Sequence, residues 1–138
     1  MRMRKTTYMC FGMIGLSLLL TSCVTRRNLE KSGDLDLRLS QNRQVKVWGS
    51  AWEENGALTV AGSIRPRQPR EGVDAGHLHI TIRERSGNEF AAQLIKLRRI
   101  EARDRVPDFI KFSAPFASIP PKHSTIRLKW HAGSDCSQ

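Results

Sequence analysis

Cysteine is scarce in this 138-residue chain and poorly placed for cross-linking. There are three: Cys10, inside an apolar stretch near the start, Cys23, and Cys136 near the end. No internal pair offers itself as a disulfide framework, so an apolar core must hold the fold. Cys136 has no His or Asn neighbour to activate it and reads as an unpaired tail thiol. All four Met and the single Tyr, Tyr8, precede Cys23. The remainder therefore has no thioether for a soft copper site. No apolar run reaches the roughly 20 residues that span a bilayer. The chain also lacks a phosphate-cradling glycine loop, a His-Glu-x-x-His pair and a calcium loop. Gly49-Ser50-Ala51 lacks the context of a nucleophile elbow, and Glu53-Glu54 sits at a turn. These absences make a non-catalytic protein without a cofactor the expectation, since a small domain has little room for a deep cleft.

What is present begins with the first 23 residues. Arg2, Arg4 and Lys5 precede an apolar run from Met9 to Leu20, broken by Gly12, Gly15 and Ser17. Small residues, Thr21 and Ser22, then lead to Cys23. This is the layout of a secretory signal peptide. Leu20-Thr21-Ser22-Cys23 resembles the lipobox of bacterial lipoproteins. That resemblance implies cleavage after residue 22, a covalent lipid on Cys23 and a membrane anchor of more than one acyl chain. Val24 stands where the family's inner-membrane retention signal often has Asp, which leans towards the outer membrane, facing the periplasm. The expected division is a signal peptide at 1–22, an anchor and linker at 23–33, a domain at 34–131 and a polar tail at 132–138.

Acidic residues are the minority. Twenty of the 23 Lys and Arg follow Cys23, as do all 13 Asp and Glu, which leaves a formal charge of +7 on the mature chain. Such a balance favours anionic partners such as phospholipid or lipopolysaccharide head groups and acidic polymers. An export signal places nucleic acid last among them. Simple solubility is the plainer explanation of the charge.

From Asp34 onward the apolar period is two, the mark of half-buried strands. Leu35, Leu37 and Leu39 alternate with Asp36 and Arg38. Val45, Val47, Gly49 and Ala51 share one face of the next segment. Asn55-Gly56 is a strong hairpin signal, because both central residues of a type I′ turn need positive φ. The return strand places Leu58, Val60, Gly62 and Ile64 together. Arg65-Pro66-Arg67-Gln68-Pro69-Arg70-Glu71-Gly72 reads as a cationic loop, because prolines remove ladder donors. Leu78, Ile80 and Ile82 follow, then the turn Ser86-Gly87-Asn88. Residues 90–101 suit either a helix or a strand with a bulge that switches face after Leu94. The flanking strands favour the second. Arg98, Arg99, Arg103 and Arg105 make another cationic stretch. Ile110, Phe112, Ala114 and Phe116 share a face, and Ile126, Leu128 and Trp130 form a final strand. The pattern predicts an all-β fold: one antiparallel β-sandwich of about seven strands, Ig-like or transthyretin-like in architecture.

Three groups of residues are candidates for function. Trp48 and Trp52 lie on the face opposite Val45 and Val47. They form either an aromatic strip able to bind a protein or stack on sugar rings, or a covered face. Arg65, Arg67 and Arg70 lie in the proline-stiffened loop, suited to an anionic lipid or glycan. His77 and His79 share a face and His131 is on another strand. Together they carry zinc or copper ligand types, but with no completing acid or Cys a solvated face is the better reading, and no metal is expected. The expected role is a protein-binding or assembly module of the cell envelope, the membrane reached through its lipid. The alternative is a glycan- or lipopolysaccharide-binding module.

Overall fold

The computed structural model describes residues 25–40, 42–103 and 108–133. The expected signal peptide at 1–22, Cys23, Arg105 and Cys136 lie outside the described residues. The described chain is all β, with eight strands: β1 (Arg27–Asn28), β2 (Leu35–Leu39), β3 (Val45–Glu54), β4 (Ala57–Pro66), β5 (Gly76–Arg83), β6 (Glu89–Leu97), β7 (Ile110–Phe116) and β8 (Ser124–Ala132). They form two four-stranded sheets in a sandwich-like arrangement. The first runs β1-β3-β4-β7 and the second β2-β8-β5-β6.

The alternating residues build the core from both sheets. Val45, Val47, Ala51, Leu58, Val60, Ile64, Phe112 and Ala114 come from the first. Leu35, Leu78, Ile80, Ile82, Leu97, Ile126, Leu128 and Trp130 come from the second. Burial of one face per strand is the chief stabilising term, about 1.5–3 kcal/mol for each large aliphatic side chain. The β3–β4 hairpin is closed by Asn55 (φ 52°) and Gly56 (φ 76°). It pairs in one unbroken register from Val45↔Pro66 to Glu54↔Ala57.

Several expectations are corrected. There are eight strands rather than seven, and the second sheet is mixed. β2 runs parallel to β8, from Leu35↔Ser124 to Leu39↔Leu128, whereas every other pair of strands is antiparallel. Residues 25–33 are not a linker. Arg27 and Asn28 pair with Glu53 and Trp52, and Leu29 is only 2 % exposed, inside the core. The next residues close a turn in which Asn28 Oδ1 accepts from the Lys31 amide (2.8 Å) and Gly33 takes φ 75°. Asp34 pins this turn. It accepts from Ser32 Oγ (2.8 Å) and pairs with Arg27 and with Lys122 (3.3 Å), while its carbonyl accepts from His123 N (2.7 Å). The Ser32 hydroxyl, then the two cations, hold the Asp34 carboxyl below its ordinary pKa against the opposing effect of burial. A polar sequence thus becomes part of the domain through hydrogen bonds that composition does not reveal.

At the other end Ala132 still belongs to β8, and Gly133 N donates to Ala75 O (3.0 Å). Residues 134–138 lie outside the described residues. Residues 89–97 are strand, and the bulge comes earlier than the pattern suggested. Arg83 pairs with Glu89 and Ile82 with Ala91, which leaves Phe90 as the extra residue. Phe90 and Ala91 both pack on the core. Beyond the bulge Gln93, Ile95 and Leu97 turn inward and Leu94 stays out, 42 % exposed.

Candidate functional site: an aromatic and cationic strip

The outward face of the first sheet carries Lys46, Trp48, Ser50 and Trp52 on β3. Register sets Arg65, Ser63, Ala61 and Thr59 of β4 beside them, and Lys111, Ser113 and Pro115 of β7 beyond. The β4 residues are short except Arg65, so the half-buried tryptophans stand beside a low floor.

Each indole is set by its neighbours. The Trp52 Nε1–H donates to Ser50 Oγ at 2.7 Å, and the Arg26 guanidinium lies 4.4 Å from the Trp52 ring centroid. Trp48 is approached by Arg65 at 4.2 Å and by Lys46 Nζ at 4.8 Å. Each such contact contributes about 0.5–1 kcal/mol at an exposed site and fixes the ring orientation. Trp48, Ser63, Arg65 and Phe109 line a shallow cleft of about 310 Å³. Phe109 is 50 % exposed at its far wall, with Lys111 Nζ at 5.9 Å from its ring.

Arg65 also lines a second cleft, of about 330 Å³, with Lys46, Pro66, Arg67 and Pro69. The fold therefore brings the tryptophans and the cationic loop onto one surface. Arg65 and Pro66 are the last residues of β4 rather than loop. Pro66 is tolerated there because β7 pairing stops at Ile64, leaving no partner that needs its missing N–H. Arg67 is held by its Nε–H to Asn42 O (2.5 Å) and its amide to Gln44 O (2.9 Å). Arg70 is exposed in the turn closed by Glu71 N to Gln68 O (3.0 Å). The two cationic stretches also meet. Val73 and Ile100 exchange backbone hydrogen bonds, and Arg103 N donates to Pro69 O (3.1 Å). Acids face part of the second stretch, with Arg98 3.6 Å from Asp108 and Arg99 3.8 Å from Asp74 and Glu101. Sequence reasoning missed Arg26, Lys46 and Phe109. The Lys46–Trp48 spacing of two was the available signal for one of them.

The histidines lie on the outward face of the other sheet. His77 is opposite His131 in register, and the His79 and His131 rings are 4.9 Å apart at 58°. No group of three His, Cys, Asp or Glu among the described residues is arranged to hold a metal ion. The solvated-face reading fails for His77, which is 6 % exposed with no hydrogen-bond partner for Nδ1. It sits mid-row between His131 and Lys96 rather than on open surface.

Burial, then the charges of Lys129, His79 and His77, depress the His131 pKa below its ordinary 6.5. Well above pH 6.5 both folded and unfolded His131 are neutral and nothing is lost. As pH falls below that, the unfolded chain takes the proton first. Stability declines until the folded ring also protonates. The urea midpoint of the wild type is expected to drop between pH 7.5 and 5, and His131→Gln is expected to drop less. Equal declines in the two proteins would remove His131 as a cause.

Comparison with protein-family models, curated proteins and solved structures yields no match to this chain.

Proposed function

We propose that this chain is a lipid-anchored envelope protein whose domain is a non-catalytic protein-binding or assembly module. The observation that carries this reading is the Trp48–Arg65–Phe109 cleft. It is shallow and apolar-walled, with the Trp and Arg types that dominate binding hot spots. The cations resting on both indoles favour protein docking over glycan stacking, since they occupy ring surface that a sugar would need. In architecture we keep an Ig-like or transthyretin-like sandwich.

Leu20-Thr21-Ser22-Cys23 supplies the anchor in this proposal, with Cys23 as the lipid site and the outer membrane, periplasmic side, as the place. Two residues, Val24 and Thr25, separate Cys23 from Arg26, so the span is at most roughly 11 Å. The Trp52 end of the strip would therefore stand close to the head groups, and a partner would be met near the membrane surface.

The test is site-specific photo-crosslinking from position 63, the cleft floor, in the full anchored chain. A discrete protein adduct is expected in intact envelopes. It should disappear with Trp48→Ala and Arg65→Ala variants that keep the wild-type unfolding midpoint. Cys23→Ala should abolish labelling by a palmitate analogue. Absence of a protein adduct, together with lipopolysaccharide binding that depends on Trp48, would replace this reading with the glycan one.

A further inference from the structure

The outward face of the second sheet carries a cationic cluster whose members are scattered in sequence. Arg38 of β2 and Arg127 of β8 are register partners. On the other side of β8, Arg127 pairs with Thr81 and Thr125 with Arg83 of β5. In-register residues of adjacent strands point to the same face. Two guanidinium groups thus stand side by side, with a third one row away and two threonine hydroxyls between the strands. Together with Glu84 at the rim they line a cleft of about 240 Å³.

Like charges directly opposite each other on a sheet are destabilising, and the nearby carboxylates offset them only in part. Glu89, the register partner of Arg83, forms no ion pair with it. Asp36 pairs with Arg38 at 2.8 Å, but both side chains are largely exposed, where such a pair contributes little. Among the described residues neither Arg83 nor Arg127 has an ion-pair partner. Glu84 accepts a long hydrogen bond from Ser86 Oγ (3.4 Å). Arg38 and Arg127 also line a neighbouring cleft of about 400 Å³ with Lys129, so positive charge extends on both sides of this pair. A guanidinium presents its N–H groups as a planar fork that matches two oxygens of one tetrahedral anion. Threonine hydroxyls can donate to the remaining oxygens.

We infer that Arg38, Arg83 and Arg127, with Thr81 and Thr125, form a binding site for a phosphoryl group, on the sheet opposite the tryptophan strip. The site does not depend on the proposed protein-docking role, which uses the other face. The phosphoryl group belongs either to a free phosphate or to a lipid head group. Glu84 at the rim disfavours a second anionic group at that end and directs the rest of the ligand towards Lys129.

The experiment is isothermal titration of the purified full chain in detergent at low salt. The probes are inorganic phosphate and dihexanoyl phosphatidic acid below its micellar concentration, with dihexanoyl phosphatidylcholine as the blocked phosphodiester control. Both phosphoryl probes are expected to bind, and the control at least about tenfold more weakly. Arg38→Gln and Arg127→Gln should each lower affinity about tenfold or more. Arg127→Lys, which keeps the charge and loses the fork, should fall between. Tighter binding of phosphatidic acid than of phosphate assigns the site to a head group, and equal binding assigns it to the free anion. Because these side chains are exposed and like charges face each other, the Gln variants should unfold at or slightly above the wild-type midpoint. Failure of both probes to bind would overturn the inference, as would wild-type affinity in both Gln variants. Loss of binding in Arg67→Gln alone would move the anion to the loop and overturn it equally.

Discussion

Gly62→Ala is expected to unfold the domain or to cost about 4 kcal/mol, among the largest effects a single substitution produces. Gly62 faces Gly49 across the hairpin and Phe112 on β7. A Cβ on Gly62 would stand 1.9 Å from Trp48 O, 2.8 Å from Gly49 Cα and 2.8 Å from Phe112 Cζ. Two of those atoms are backbone, and the third is the tip of a buried ring. The strands would have to separate, and β3–β4 holds both the core and the tryptophan strip. Gly49→Ala provides the contrast. Its Cβ would meet Ala61 O, Leu128 and Phe112 at 3.6–3.7 Å, ordinary contact distances. Removing a strand glycine there should change stability by less than about 1 kcal/mol, towards gain. Urea unfolding followed by circular dichroism separates the two. Similar midpoints for both variants would mean that the close approach of β3 and β4 carries no weight.

Leu29→Ala is expected to destabilise the domain by about 2–5 kcal/mol, the range for deleting a buried leucine side chain. Leu29 is the apolar anchor of the segment before β2. Its amide donates to Ala51 O (3.0 Å), and its carbonyl accepts from Asp34 N (3.0 Å) and Leu35 N (3.2 Å). The substitution opens a cavity where the turn closes the first sheet over the core. Leu39→Ala, at a position 40 % exposed, should stay within about 0.5 kcal/mol. Chemical denaturation of the two variants beside the wild type reads the difference. If Leu29→Ala matched Leu39→Ala, residues 25–33 would be a tether after all, and the proposal that the Trp52 end stands close to the head groups would fall.

The local patterns were the legible part of this fold. Alternation located β2 through β8 and assigned most inward faces. Asn55-Gly56 did more than mark a turn. A two-residue loop fixes the register of everything it joins, so Lys46 opposite Arg65 and Trp48 opposite Ser63 follow by counting back from it. The contact of Arg65 with Trp48 was therefore within reach of the sequence. Three features were not. The polar run 25–33 folds through side chain–backbone bonds around one leucine, which leaves no periodic signal. The bulge at Phe90 is set by pairing with β5, so the face of each later β6 residue depended on a partner strand. The Arg38–Arg127 pair depends on β2 lying beside β8, and nothing local to either strand encodes that neighbour. Each arginine on its own looked like the solvated half of an alternation.

The parallel seam between β2 and β8 also decides the order in which the domain can be completed. A chain emerging N-terminus first presents Leu35–Leu39 early, yet the strand that pairs with it is the last to appear. The β3–β4 hairpin can close as soon as its turn is out, whereas β2 waits with open backbone groups for β8 to enter between it and β5. Pairings this distant in sequence are slow to form. Until β8 arrives the second sheet offers two unpaired edges that can template association with other chains. Losing the last strand would therefore remove more than one element. It would leave both β2 and β5 of the second sheet as adhesive edges beside an otherwise ordered first sheet.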